Sequence, residues 1–419
     1  GLIFSIVYID KNSVFPGFIV LIPTLSSAFI IYAGSFHTSF IHKILSVKPL
    51  VIVGLISYSA YLWHWPILAF YRYGNFEITL LSGLAILILT LVLAKISHRY
   101  VEVPFRKVDF NFSLILKRFV LIPGGVVLVF SFLVYRSHGY GIRYLDTEYK
   151  NTLSVMTEAM KGPHMTAHGC QFPLINEKHI TDPRCIIGAK SKQEPAVLLF
   201  GDSNAGHFVG TFDLLGINAG VSIRNIAISS CPPLFYNAAD YATQDVNACT
   251  KSLEVLKPYL FEYEHLIISA AWTNYTSKNK AQSEAFWRDF SHTLDELSSS
   301  IKSITLVGKI PWVSGFKQGC EIRQLNFPSM NCDLDHDHQA TKKLLHVNNQ
   351  LKNIATAYSN VNYYDFNQML CSSGSCIWRS NNNIPIYYDS THLSYFGSEY
   401  LGRLVLNKEG VPSFLAHLK

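Results

Sequence analysis

Two short stretches carry the side chains of a nucleophilic catalyst. The first is Val197-Leu198-Leu199-Phe200-Gly201-Asp202-Ser203-Asn204. Its apolar run, Val197 to Phe200, reads as a buried strand. It ends at Gly201, and a polar turn carries Ser203 toward a helix expected from Asn204 to Leu215. Open α/β sheets bind ligands at that strand-to-helix edge, and N–H groups at a helix start stabilise negative charge. The second stretch is Asp389-Ser390-Thr391-His392-Leu393-Ser394, ahead of a helix expected from Tyr395 to Leu406. A serine hydroxyl needs a base to take its proton, and the base needs an acid to orient it. In Asp-x-x-His a carboxylate can bond one imidazole nitrogen while the other faces the serine. Taken singly, Asp202-Ser203 reads as a helix cap and Asp-x-x-His as a surface loop. Taken together they read as nucleophile Ser203, base His392 and orienting acid Asp389.

For these groups to meet, the strands must run parallel, so that their ends emerge on one edge. Short apolar runs recur at Val197–Phe200, Ile223–Ile228, Leu266–Ala270, Ile304–Val307 and Val361–Tyr364, with helical stretches between them such as Ser283–Ser299 and Thr341–Tyr358. That alternation implies an α/β three-layer sandwich on a mainly parallel, flavodoxin-like sheet. Residues 137–194, with Gly162-Pro163 and weak periodicity, read as a connecting region of loop and short helix packed on the domain at 195–419.

The first 136 residues are a different material. Asn12–Phe36, Pro49–Tyr71, Ile78–Ala94 and Phe119–Tyr135 contain no Asp, Glu, Lys or Arg and are long enough to cross a bilayer. Leu2–Ile9 reads as the end of a further helix. With no initiating Met and no signal peptide, the sequence reads as the C-terminal part of a longer membrane protein. Lys43 and Lys48 lie in one loop; Lys95, Arg99, Arg106, Lys107, Lys117 and Arg118 outnumber Glu102 and Asp109 in another. The positive-inside rule makes both loops cytoplasmic and puts everything after Arg136 outside. All eight cysteines lie on that side, at 170, 185, 231, 249, 320, 332, 371 and 376. An even number there suggests disulfides in an oxidising compartment. Neighbours could pair as 170–185, 231–249, 320–332 and 371–376, although sequence leaves connectivity open, with reduced core thiols as the alternative. No paired CxxC suggests zinc, and Asp333-Leu334-Asp335-His336-Asp337-His338 reads as a solvated loop rather than a metal site. The net charge of +6 comes with no basic run interleaved with aromatics, which argues against nucleic acid.

Gly201-Asp202-Ser203 with Asp389-x-x-His392 resembles the SGNH (GDSL-like) hydrolase superfamily. The resemblance implies Ser203, His392 and Asp389 as a triad. It also implies oxyanion donors from a glycine N–H after the second strand and from a Gly-x-Asn-Asp block after the third. Here Ser229-Ser230-Cys231 offers no glycine, so the Ser230 N–H stands in. Ala271-Trp272-Thr273-Asn274-Tyr275 aligns Asn274, with Trp272 and Tyr275 replacing the Gly and Asp. In the apolar part, Ser57-Tyr58-Ser59-Ala60-Tyr61-Leu62-Trp63-His64-Trp65-Pro66 and Arg99-Tyr100-Val101-Glu102-Val103-Pro104-Phe105-Arg106 resemble motifs of the acyltransferase-3 family of membrane O-acyltransferases. Trp63, His64, Glu102 and Arg106 are the residues concerned, with His64 in a structural or supporting role. An intramembrane histidine is a functional candidate on physical grounds too. The order of the two parts resembles bacterial fusions of an acyltransferase-3 domain with a periplasmic SGNH domain. That implies a multi-pass inner-membrane O-acetyltransferase acting on a cell-surface polysaccharide such as lipopolysaccharide O-antigen or peptidoglycan. Acetyl-CoA is then the expected acyl donor, with no cofactor bound. A periplasmic carbohydrate acetylesterase with the same triad is the alternative, and a non-enzymatic glycan-binding partner is a third.

Overall fold

The computed structural model describes residues 1–9, 17–36, 40–74, 76–106, 111–136, 147–276, 279–328, 330–334, 342–372 and 375–418. It divides into two compact units, Gly1–Leu133 and Val134–Lys419.

Among the described residues, three helical segments are long and apolar enough to cross a membrane: Lys48–Tyr73, Leu80–Arg106 and Phe112–Arg136. At about 1.5 Å per residue each exceeds a hydrocarbon core of about 30 Å. They contain the expected spans Pro49–Tyr71 and Phe119–Tyr135 and all of Ile78–Ala94 from Leu80 onward. In the fourth, Asn12–Phe36, the described residues form the shorter apolar helix Phe18–Gly34, and residues 12–16 lie outside the described residues. Large apolar side chains such as Leu87, Ile88, Val126, Val127 and Phe130 are exposed along these helices, which suits contact with lipid rather than water.

In the C-terminal unit the five expected strands form within a residue of their expected ends: β3 (Val197–Gly201), β4 (Ser222–Ile228), β5 (His265–Ser269), β6 (Ser303–Val307) and β7 (Val361–Tyr364). All are parallel, in the order β4-β3-β5-β6-β7. The connecting region contributes two more strands to the same sheet. β1 (Gln171–Phe172) pairs parallel with β4, and β2 (Ile186–Gly188) pairs antiparallel with it. A hairpin of β8 (Cys371–Ser372) and β9 (Ser375–Cys376) lies apart.

Side chains on a strand alternate between faces, and both faces here are apolar. Leu198, Phe200, Leu266, Ile268 and Leu306 pack with Leu256, Phe290 and Leu351, on the helices Val246–Leu260, Lys280–Ser298 and Lys342–Ala355. Val197, Leu199, Ile223 and Ile267 pack with Phe212, Leu215, Leu401 and Val405, on Val209–Ala219 and Tyr395–Glu409. Burial on both faces explains why the strands read as continuous apolar runs.

The helix expected over Asn204–Leu215 is two helices, Ser203–Gly206 and Val209–Ala219. The break redirects the second piece onto Tyr395–Glu409, which follows His392. Gly210 and Gly402 allow the close approach: a Cβ on either would stand 3.0–3.2 Å from backbone of the other helix. Thr211 N–H then donates to Ser398 Oγ (2.9 Å), and Thr211 Oγ1 donates to the Ser398 carbonyl (2.6 Å).

All eight cysteines pair with their sequence neighbours: 170–185, 231–249, 320–332 and 371–376. The Cys231–Cys249 bond closes a separation of 18 residues beside Ser230. Replacing both cysteines with alanine is expected to lower the stability of the C-terminal unit by about 3 kcal/mol, from lost constraint on the unfolded chain. Denaturant unfolding of the full chain in detergent checks this; an unchanged midpoint would contradict it.

Candidate active site

The carboxyl ends of β3, β4, β5 and β6 deliver four short segments to one edge of the sheet. Asp202-Ser203 follows β3, Ser230 follows β4, Trp272–Tyr275 follows β5 and Lys309 follows β6. β3 lies between β4 and β5, so the strand order reverses at β3, where a crevice is expected. Asp389–His392 arrives from farther away, after the excursion beyond β7. Tyr388 N–H donates to the His392 carbonyl (2.8 Å) and Ser394 N–H to the Ile386 carbonyl (3.0 Å), making the segment a closed loop.

Ser203 Oγ and His392 Nε2 are 2.8 Å apart. The other imidazole nitrogen, Nδ1, lies 2.9 Å from Asp389 Oδ2 and 3.1 Å from Oδ1. Asp389 Oδ1 also accepts from the N–H groups of Thr391 (2.7 Å) and His392 (2.8 Å) and from Thr391 Oγ1 (3.0 Å). Burial by itself would raise the Asp389 pKa, but the hydrogen bond and charge of His392, with these N–H donors, hold it well below the usual carboxylate range. An ionised Asp389 favours the tautomer with a proton on Nδ1 and leaves Nε2 able to accept the serine proton.

Asp202 is buried and does more than cap a helix. Its Oδ1 accepts from Asn204 N–H (2.7 Å), and its Oδ2 accepts from Ala271 N–H (2.8 Å) and Tyr275 Oη–H (2.6 Å). The carboxylate therefore ties the turn after β3 to the turn after β5. Burial pushes its pKa up, while the Tyr275 hydroxyl and the two N–H groups draw it back. Tyr275 meets this carboxylate with a neutral hydroxyl that donates.

Asn274 and Ser230 both line the cavity that holds Ser203 and His392. Ser230 adopts φ 56°, the left-handed region in which glycine is at ease and other residues are strained. Thr243 N–H donates to its carbonyl (3.2 Å), and the disulfide at Cys231 adjoins it. The backbone thus takes a glycine-like form without a glycine, which the sequence could not reveal. Gly201 has φ +151°, and a Cβ there would stand 1.8 Å from the Ser269 carbonyl oxygen, so this position requires glycine.

The cavity is about 330 Å³ and is also lined by Thr243, Thr273, Lys309, Trp312, Lys343 and Thr391. None of these was singled out from sequence. Lys309 left a signal, as a lone charge two residues after an apolar strand. Trp312 and Lys343 lie in ordinary-looking loop and helix sequence and left none. Among the described residues no cluster of three or more His, Cys, Asp or Glu could hold a metal; residues 335–338 of the acidic, histidine-containing stretch lie outside the described residues.

In the membrane-like unit the expected motif residues separate into two places. Glu102 Oε2 accepts from Ser59 Oγ (3.0 Å) and meets His98 Nδ1 (3.1 Å), and Arg106 pairs with Glu102 Oε1 (2.5 Å). His64 instead turns back on its own helix, with Nδ1 2.6 Å from the Tyr61 carbonyl. Trp63 is partly exposed. The member of the Ser57–Pro66 run that reaches Glu102 is thus Ser59.

A parallel α/β sheet presenting a Ser–His–Asp hydrogen-bond chain at its carboxyl edge defines the class of the C-terminal unit. Residues 169–407, more than half of the chain, match the family model described as the SGNH domain (fused to AT3 domains), and the chain belongs to that family. The O-acetyltransferases OatA of Staphylococcus aureus strains NCTC 8325 / PS 47 and MRSA252 are each 38% identical to it over 97 residues, 23% of this chain and 16% of theirs. The chain thus spans about a sixth of the length of those curated relatives. The solved periplasmic domain of the Salmonella ser. Paratyphi A lipopolysaccharide acetyltransferase superposes with a TM-score of 0.43 at 16% identity, covering 63% of this chain and 97% of that one.

Replacing Tyr275 with phenylalanine leaves a buried carboxylate oxygen short of one donor. The C-terminal unit is expected to lose about 1–3 kcal/mol of stability. Thermal unfolding of the full chain, followed by near-ultraviolet circular dichroism, measures the loss; an unshifted transition would contradict this account of Asp202.

Proposed function

We propose that the chain belongs to a bacterial inner-membrane O-acetyltransferase that acetylates a cell-surface polysaccharide such as O-antigen or peptidoglycan. In this reading the C-terminal unit is periplasmic, and acetyl-CoA is the primary acyl donor. The observation that carries the proposal is the chain of hydrogen bonds from Ser203 through His392 to Asp389, inside a cavity roomy enough for a sugar ring. Membership of a domain family fused to AT3 domains supports it, as do the partial similarity to proteins named O-acetyltransferase, the three apolar helices and the four disulfides.

Ser203 Oγ attacks the carbonyl carbon of the delivered acyl group while its proton passes to His392 Nε2. The tetrahedral intermediate collapses, the bond to the leaving group breaks, and His392 returns the proton to that group. Ser203 is left as an ester. A sugar hydroxyl then gives its proton to His392 and attacks the same carbon. Collapse of the second intermediate releases the acetylated sugar, and Ser203 regains its proton from His392. Asp389 holds the imidazole throughout and stabilises its charged form. The N–H groups of Ser203 and Ser230 and the Asn274 amide donate to the oxyanion. Trp312 offers the acceptor sugar an aromatic face. Glu102 with Arg106, and Trp63 with His64, belong to the membrane part, which delivers the acyl group.

The test uses the full chain in detergent, with p-nitrophenyl acetate as donor and an oligosaccharide cut from peptidoglycan or O-antigen as acceptor. Ser203→Ala is expected to lower ester turnover at least about 10³-fold and to abolish acetylated glycan, read by mass spectrometry. Acetate release unaffected by glycan, with no acetylated product, would overturn transfer in favour of the esterase reading. Trp312→Ala is expected to raise the KM for glycan about tenfold, the scale of one aromatic contact, while turnover of the small ester changes little. An unchanged glycan KM would remove Trp312 from the acceptor site.

A further inference from the structure

Lys309 lines this cavity as a buried cation without a part in the chemistry above. Lys309 is 4% exposed. Its backbone is fixed by three side-chain bonds: its N–H donates to Asn348 Oδ1, and its carbonyl accepts from Asn348 Nδ2 and Asn367 Nδ2, each at 2.9 Å. Its ammonium group donates to Asn204 Oδ1 and to the Thr391 carbonyl (3.2 Å). Asn204 follows the nucleophile, and Thr391 precedes the base. Burying an ammonium is costly unless it is paired, yet among the described residues it forms no ion pair within 4.0 Å. An apolar side chain would fill the space at lower cost, so a packing role leaves the charge unexplained.

We propose that Lys309 is a positioning residue for acyl transfer: its ammonium group clamps the nucleophile turn to the base loop and keeps a positive charge beside the carbon under attack. The proposal rests on the serine acyl-transfer reading. The clamp acts through Asn204 and Thr391, and the charge offsets the negative charge that develops on the intermediate's oxygen.

The same burial gives the clamp a pH limit. Desolvation draws Lys309 down to about 8, against the opposing pull of Asp202 and Asp389. The charged form is complete below that value and is lost as pH rises through it. The other groups facing it are His392, His207, Tyr275 and Lys343. Burial, followed by the charges of Lys309 and His392, keeps His207 neutral, and burial pushes Tyr275 well above its ordinary range. Neither changes charge in this window.

The experiment follows p-nitrophenyl acetate turnover by the full chain in detergent from about pH 6.5 to 10, the span over which a lysine of this kind titrates. Wild type is expected to lose kcat above about pH 8, with KM little changed. Lys309→Met is expected to lower kcat about 10²-fold, the scale of one lost electrostatic donor, and to lose the alkaline limb. Lys309→Arg is expected to recover part of kcat and to move the limb upward. Full activity in Lys309→Met, or reduced activity with the alkaline limb intact, would overturn the proposal. Should the variants fail to fold by circular dichroism, the wild-type profile decides alone: a kcat that stays level through pH 9.5 overturns it. Ser203→Ala separates the two ideas. If that variant keeps its turnover, the acyl-transfer reading fails; if it is inactive while the Lys309 predictions fail, only this inference falls.

Discussion

The 2.8 Å contact between Ser203 Oγ and His392 Nε2 joins positions 189 residues apart, and much of the C-terminal unit serves to keep it. Parallel strands bring the turns after β3, β4, β5 and β6 to one edge, but Asp389–His392 does not follow a strand directly. It is held there by its own closed loop and by the packing of the helix after it. Thr211 and Ser398 bond the helix that follows Ser203 to the helix that follows His392. The serine and the histidine are therefore registered against each other twice, at the site and on the helices behind it. A hydroxyl and an imidazole set within bonding distance before substrate arrives need little rearrangement for proton transfer.

The site is built from charges wholly or partly withdrawn from water, each satisfied in a different way. Asp389 takes N–H donors and the imidazole. Asp202 takes two N–H groups and the Tyr275 hydroxyl and fastens the β3 turn to the β5 turn. Lys309 takes two neutral oxygens and fastens the β3 turn to the base loop. Such groups disfavour folding unless their bonds are complete, so the cavity's shape and its electrostatics come from the same contacts. The disulfide at Cys231 and the left-handed Ser230 belong to this frame, because they set the direction of the turn after β4.

The five central strands were legible because burial on both faces makes each an uninterrupted apolar run with polar punctuation. The residues of the Ser203–His392–Asp389 chain were legible because two local motifs point to one chemistry. Less was visible wherever three-dimensional proximity decided the outcome. β1 and β2 are two and three residues long, too short for any periodicity, so the region before residue 195 gave no sign that it extends the sheet. The break at His207-Phe208 lies inside a helical pattern and is dictated by close approach to a helix nearly two hundred residues later. Tyr275 departs from the motif it was aligned to, and its bond to Asp202 shows only in the fold. In the membrane-like unit the motif was visible as a run of residues, but not which of them faces Glu102. That residue is Ser59, whose small side chain carries no pattern of its own.

The central claim is that Ser203 carries the acyl group between donor and acceptor. The most direct measurement is mass spectrometry of peptides from the full chain, quenched in acid after exposure to p-nitrophenyl acetate with acceptor glycan withheld. The account predicts an acetyl group on the peptide containing Ser203, discharged when glycan is added before the quench. Acetylated glycan formed with no acetyl group ever trapped on Ser203, or with the label on another residue, would contradict it.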